Sequence, residues 1–430
     1  MIPLLLLLAV GGLMQAARSF TETTTGGTEL AFGFLLLGAY FTAKIVNRFG
    51  LPKLTGYLMA GVFAGPFVLG LVTTPMTSSL KVVSNTATAI LALEAGSELQ
   101  LEKVKPVLKT LRLMTLFAVV GAMFTISGAI YLMRGMFPMD TTQCVAVSAV
   151  IGVALSAQSP AVVMALLAET RAEGPLASTI LASVVVADLC VILCFSIAST
   201  VTTAVIGGGI DVVGTVLSVV WELLGSMVFG IAIGMLIGQY LRSVKNGALL
   251  FAVLICVVVA EVGPRIHLDP LIVLLAAGIW LRNFARADAS ALLHNFEAAQ
   301  LPVFLVFFAV AGSKLDIYAL WSAIVPVMII ALVRATSFFL GTKLATKITR
   351  APKVVDQYAW FGLVPQAGLA LALALVLTKT FPSFGSGAAV ILFGVVGLNE
   401  CLAPPILRLM MLRSGEAGKK QGIDFAANGH

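Results

Sequence analysis

Apolar runs of about 17 to 30 residues follow one another along the chain, separated by short polar connections, and each is of a length that lets a helix cross a bilayer. Fourteen candidate spans can be marked, at roughly 2–17, 28–47, 54–72, 78–99, 112–134, 143–169, 174–205, 212–241, 247–263, 268–282, 301–319, 321–347, 357–380 and 386–412. The runs are continuous, whereas a membrane β-barrel would show short alternating segments. The pattern predicts an all-α polytopic membrane protein with about 14 transmembrane helices. The first run lacks the basic flank of a signal peptide and is expected to be a retained helix.

Two spans are interrupted. VIGVALSAQSPAVVMALLAE places Gln158, Ser159 and Pro160 at membrane depth, and WFGLVPQAGLALALALVL does the same with Pro365, Gln366 and Gly368. Proline removes a backbone donor and clashes with the preceding turn, so each site is either a kink or a broken helix. Taken with its six-helix neighbourhood, each break falls in the fifth helix of a half, 28–205 or 246–413. Matching interruptions in two halves point to inverted repeats with a site near the midplane. The remaining segments are an extra N-terminal helix and loop (1–27), a linker helix (206–245) and a cytoplasmic tail (414–430).

Composition sharpens this picture: 59% of residues are hydrophobic and only 11% charged, far from the roughly 25% charged of soluble domains. The net charge of +7 comes from Lys and Arg in alternate connections, among them Arg48, Lys53, Lys105, Arg171, Arg242, Arg282 and Lys353. That alternation sets topology; it places both termini in the cytoplasm and the chain in the cell (inner) membrane, with lipid rather than nucleic acid as its surroundings. All five cysteines lie in apolar runs and the three histidines are scattered, so neither a metal cofactor nor an enzyme is indicated.

The few charges at membrane depth carry the candidate chemistry. Asp188 sits in the middle of the seventh span, where an ionised carboxylate costs several kcal/mol unless it faces protein or water. It is either a protonated group that ties helices together or an ion and proton site. In the second reading, unwound carbonyls beside Gln158 and Ser159 coordinate a small cation and Asp188 supplies the formal charge. Arg334, deep in the twelfth span, needs a counter-charge or a carbonyl cage, and Glu94 is a candidate partner. Glu98, Glu222, Glu261 and Glu400 lie nearer span ends, where interfacial or capping roles are expected. Asn399 and Glu400 are followed by Pro404 and Pro405, which predicts a disturbed helix there.

These features together resemble the monovalent cation/proton antiporter superfamily, in particular its bacterial sodium/proton and potassium/proton exchangers. The resemblance rests on LPKLTGYLMAGVFAGP, EAGSELQL, QSPAVV, VADL and GLVPQAGLALAL, in that order and spacing. It implies a mobile core domain with two crossed discontinuous helices and a dimerising scaffold, hence a homodimer. It also implies that Asp188 binds sodium, potassium or lithium in competition with protons, lined by Ser159 and Gln158, with Arg334 nearby. Three departures matter. Ala187 stands where the family usually has Asp or Asn, which implies one proton per cation and electroneutral exchange. Gln158 replaces the commoner Thr, and Ser183 replaces a Glu that pairs with the basic residue, so Arg334 must find Asp188, Glu94 or backbone carbonyls. A sodium-coupled symporter of a small organic solute and a non-transporting ion or pH sensor are the competing functions.

Overall fold

Proline and glycine set the ends of the helices that the apolar runs form. The computed structural model describes residues 2–419 apart from 22–26, 100, 137–139, 207–213, 215–216, 218–219, 245–247, 286–289, 316, 367–368, 371–372, 375–376 and 378–380. The helices that matter below are α1 (Ile2–Thr21), α2 (Gly27–Arg48), α3 (Lys53–Ala64), α4 (Lys81–Glu98) and α5 (Lys105–Leu132). The first interrupted span gives α6 (Thr141–Leu155) and α7 (Pro160–Thr170), followed by α8 (Pro175–Ile206). Then come α9 (Trp221–Ser243), α10 (Ala248–Val262), α11 (Pro270–Phe284), α12 (Ser290–Ser313), α13 (Ile324–Thr349), α14 (Lys353–Tyr358) and α15 (Pro382–Ser414).

Among the described residues, eight helices are long and apolar enough to cross a membrane. One of the eight is the segment Thr141–Thr170, which is interrupted, and the other runs form helices that are shorter or less continuously apolar. The run at 54–72, for instance, yields only the 12 residues of α3, because Gly65 precedes Pro66 and takes an extended conformation (φ −63°, ψ 170°) that ends the helix. At Pro404 and Pro405 the outcome differs from expectation: α15 runs unbroken through both. Ala403, Leu407 and Met411 are each at most 2% exposed, so packing along one face holds the helix across the missing donors.

The helices pack as two groups. One contains α1–α4 and α9–α12; the other contains α5–α8 and α13–α15, with closer packing inside each group than between them. Within the first group, two pairs of helices cross through glycines. A Cβ on Gly61 of α3 would strike Ala309 O of α12, and one on Gly312 of α12 would strike Leu58 O of α3. Gly96 of α4 and Gly278 of α11 are matched in the same way against Leu275 O and Leu93 O. Where lipid offers no hydrophobic drive to associate, such close backbone approach supplies the packing energy. It makes this group a stiff support for the broken helices beside it.

Candidate ion site between the two helix groups

The first break is built by three local choices. The α6 helix ends at Leu155, Ser156 turns its hydroxyl back to Val153 O at 2.7 Å, and residues 157–159 are not helical. Ser159 then caps α7: its backbone is extended (φ −132°, ψ 102°) and its Oγ accepts from Val162 N at 3.2 Å. Pro160 follows at the first helical position, where its missing N–H costs nothing. The sequence therefore specifies a stop and a restart, rather than a kink. The second break is similar in outline: α14 passes into a tight turn over Ala359–Leu363, Val364 to Gln366 are not helical, and helix resumes at Leu369. Gly368 lies outside the described residues.

Arg334 holds the two breaks together. It is fully buried, and its guanidinium donates to Leu155 O (2.9 Å) and Ala157 O (2.7 Å) of the first break. It also donates to Val364 O (2.5 Å) and Leu363 O (3.2 Å) of the second, while its plane lies 4.6 Å from the Phe338 ring centre. The carbonyls at the C-terminal ends of interrupted helices carry partial negative charge and have no intrahelical partner. Their cage satisfies the cation without a carboxylate. Of the three partners open on sequence grounds, the hydrogen bonds of Arg334 go to the backbone and not to Glu94 or Asp188. Glu94 is buried on α4, on the other side of the packing boundary. Ser183, where the resemblance places an Arg-pairing Glu, is buried with its hydroxyl 3.9 Å from Met114 Sδ.

Gln366 belongs to the same brace. Its Nε2 donates to Leu155 O at 2.9 Å and its Oε1 accepts from Asn399 Nδ2 at 2.7 Å. Asn399 had no role assigned by sequence, and the signal that marks it is its place on a buried face of α15 opposite the break. Glu400 departs from the interfacial role expected of it: it is 2% exposed and both carboxylate oxygens are buried without a hydrogen-bond partner among the described residues. Glu261, by contrast, is a surface group 3.9 Å from Arg265, as its position near a span end suggested.

Gln158, Ser159, Pro160 and Asp188 are brought together around one cavity of about 70 Å³. The first helix group contributes Thr88 and Leu91 of α4, Leu271 and Ile272 of α11, and Phe307 of α12. The second contributes the first break, Val185 to Ile192 of α8, and Leu369 beyond the second break. The cavity thus lies on the boundary between the groups. Two polar atoms at it are buried without a hydrogen-bond partner among the described residues: Asp188 Oδ1 and Gln158 Oε1. Gln158 is oriented by its amide, whose Nε2 donates to Ser156 O, so its carbonyl is left for something else. Ala187 is fully buried and brings no second charge. Buried oxygens rarely stay unpaired, because each costs about 1–3 kcal/mol. Two of them at one small cavity, one belonging to a carboxyl, suit a desolvated small cation or a proton.

An all-helical membrane bundle with two interrupted helices braced at their breaks, and an acidic cavity between two packing groups, defines an ion-coupled transporter. The chain belongs to the sodium/hydrogen exchanger family, whose transmembrane model matches residues 32–410. It is therefore a multi-pass membrane protein of a monovalent cation/proton antiporter family, whose members are transporters and not enzymes. Two solved structures of the sodium/proton antiporter MjNhaP1 from Methanocaldococcus jannaschii share its fold. One, at pH 8, has a TM-score of 0.65 and 16% identity over 90% of this chain and 99% of that one. The other, from electron microscopy, has a TM-score of 0.72 and 15% identity over 89% and 96% of the two chains. No curated protein matches the chain.

Proposed function

We propose that this protein exchanges a monovalent cation, with Na+ favoured over K+ or Li+, for a proton, one for one, by alternating access to the cavity at Asp188. The observation that carries the reading is the pair of unpartnered buried oxygens, Asp188 Oδ1 and Gln158 Oε1, at a cavity shared by two helix groups. Deprotonated Asp188 binds the cation with Gln158 and Ser159 as neutral oxygen donors. Protonation of the same carboxyl removes the charge and releases the ion, so cation and proton compete for one group. Arg334 stays cationic within its carbonyl cage and does not enter the count. With Ala187 in place of a second acid, the charge carried per half-cycle is the same in both directions. The chemistry needs no cofactor beyond the transported ion.

The cavity's size disfavours an organic co-substrate, since pockets for such molecules enclose about 300–1,000 Å³. Helices α1–α4 and α9–α12 form the static, dimerising scaffold in this reading, and α5–α8 with α13–α15 form the moving core. Both termini lie in the cytoplasm of a cell with this protein in its inner membrane. Proteoliposomes with an internal pH dye test the proposal: outward-facing Na+, K+ or Li+ drives proton efflux that is lost in Asp188→Asn and unchanged when the membrane potential is clamped. Absence of flux with every cation would leave the sensor as the function of this fold. Flux that follows voltage would contradict the one-for-one count.

A further inference from the structure

Glu169 and Arg408 both belong to the second helix group, yet both hold the turn between α2 and α3 of the first. Glu169 stands in the last turn of α7, and its two carboxylate oxygens accept from Lys53 N at 3.2 and 3.1 Å. Lys53 opens α3, whose preceding residue is Pro52 and which has no side-chain cap of its own. The carboxylate from across the boundary supplies that cap, at the end of a helix where negative charge is favoured. Arg408 of α15 completes the grip. Its Nε lies 3.7 Å from Glu169 Oε1 and its Nη1 donates to Gly50 O, on the other side of the same turn. Gly50 presents that carbonyl with φ +78°, a conformation glycine reaches without penalty. An acceptor and a donor from one group therefore seize a donor and an acceptor of the other, with side chains 15% and 24% exposed for Glu169 and Arg408.

The grip is tied rigidly to the helix that bears Asp188. Beyond α15 the chain turns back, and Glu416, 3% exposed, accepts from Leu176 N and Ala177 N of α8 at 2.8 Å each. Glu173 N donates to Glu416 O at 3.1 Å and Gly418 N to Thr170 O at 2.9 Å, so the α7–α8 turn and the tail are one unit. A Cβ on Gly174 would collide with the Glu416 carboxyl, which explains glycine there. The contacts lie at the end of the bundle marked by Arg48, Arg171 and Arg413. The cavity takes its α11 lining from Leu271, Ile272 and Leu275, in the opening turns of that helix, whose far end carries Arg282. The length of α7, from its Ser159 cap at the cavity to Glu169 in its last turn, separates cavity and grip.

We infer that Glu169 and Arg408 form a latch that closes the basic end of the boundary between the two helix groups, and that it opens each time Asp188 is exposed to that side. Both are positioning residues: they set access and touch no ion. The inference rests on the alternating-access reading above. Glu169→Ala in the full-length protein, in nanodiscs, is expected to speed amide hydrogen exchange at Lys53 and Leu54 about tenfold, as loss of a charge-assisted cap of about 1.4 kcal/mol implies. In proteoliposomes the same variant raises the apparent Na+ affinity measured from the basic face and lowers it from the opposite face. Arg408→Ala moves both readouts in the same direction, and Glu169→Gln, which keeps an acceptor oxygen, falls between. Unchanged amide exchange, or an equal change in affinity at both faces, would overturn the latch. If the wild type moved no cation at all, the exchange function would fall, while the amide measurement would still decide whether Glu169 holds α3.

Discussion

Two glutamines sit at two broken helices and do different work. Gln366, at the second break, is fully engaged: it bonds Leu155 O with its amide and receives Asn399 with its carbonyl. Gln158, at the first, has its amide fixed on Ser156 O and its carbonyl oxygen buried with no partner beside Asp188. Identical side chains at similar interruptions thus differ in engagement: one is spent on the brace, and the other keeps its carbonyl unpaired at the cavity. What divides them is the side from which each break is approached. The second break faces Asn399 of α15 and the guanidinium of Arg334, both donors inside the second helix group. The first break turns Gln158 and Ser159 toward the boundary, where α4, α11 and α12 present apolar side chains and Thr88, whose hydroxyl donates to Ser84 O. A hydrogen-bond acceptor left idle there costs stability unless a cation or a proton fills the place.

The comparison can be broken most severely at Asp188. Asp188→Asn keeps the shape and removes the charge, and cation-driven proton flux in proteoliposomes is expected to fall to the leak of empty vesicles. Residual flux above that leak would place the exchanged proton elsewhere, with Glu400 the next group to test. Next in size is the brace. Arg334→Ala takes the guanidinium from the carbonyls of Ala157, Leu363 and Val364 and leaves Leu155 O to Gln366, and thermal unfolding in detergent should show a loss of about 3–5 kcal/mol. Arg334→Lys restores the charge but not the planar fork, so it should recover only part of that loss. A harmless Arg334→Ala would mean that the carbonyl cage is not what holds the breaks.

The glutamines themselves give the sharper test. Gln158→Ala is expected to raise the cation concentration for half-maximal flux about tenfold, the equivalent of one lost ligand worth about 1.4 kcal/mol, with little change in melting temperature. Gln366→Ala should do the reverse, lowering stability by about 1–3 kcal/mol through the orphaned Asn399 amide, with Leu155 O left to Arg334 alone, and with little change in half-saturation. Melting curves and flux titrations on the same two variants decide the matter, and matching effects would erase the distinction. The smallest effect is expected at Asp356 on α14, the helix that leads into the second break. Burial raises its carboxyl, but the Lys343 ammonium at 2.7 Å and the Thr346 hydroxyl at 2.6 Å outweigh it and hold the group below the usual carboxylate range. A depressed folded value stabilises above the unfolded one and is lost as pH falls through the folded one. Asp356→Asn should therefore cost about 0.5 kcal/mol at pH 7, a discount set by its partial exposure, and that cost should vanish as pH falls through the depressed folded value. A penalty that persisted in acid would assign the contact to packing.

Much of the scaffold was legible from residue order. Unbroken apolar runs specify helices, and Ser159–Pro160 specifies a cap followed by a first-turn proline. Asp188 announces itself because a lone acid at membrane depth is expensive. The partners of Arg334 were not legible as a choice, since the carbonyls of Leu155, Ala157, Leu363 and Val364 belong to the backbone and leave no mark in the side-chain sequence. Asn399 and Glu400 were read as disturbed by the prolines beyond them, whereas α15 continues through both prolines and keeps both residues buried. Glu416 reads as part of a polar tail, yet it caps α8 from some 240 residues away, a contact that only the tertiary fold creates.

The central claim is that one carboxyl, Asp188, trades one proton for one cation. Calorimetric titration of the purified protein with NaCl, repeated in buffers of different ionisation enthalpy, counts the protons released as sodium binds. The account predicts that the protons released per sodium bound rise toward one as the pH is lowered until the free carboxyl is protonated, fall toward zero as the pH is raised, and that Asp188→Asn binds no sodium. Sodium binding whose proton release stays near zero at every pH, or that survives the loss of this carboxylate, would contradict it.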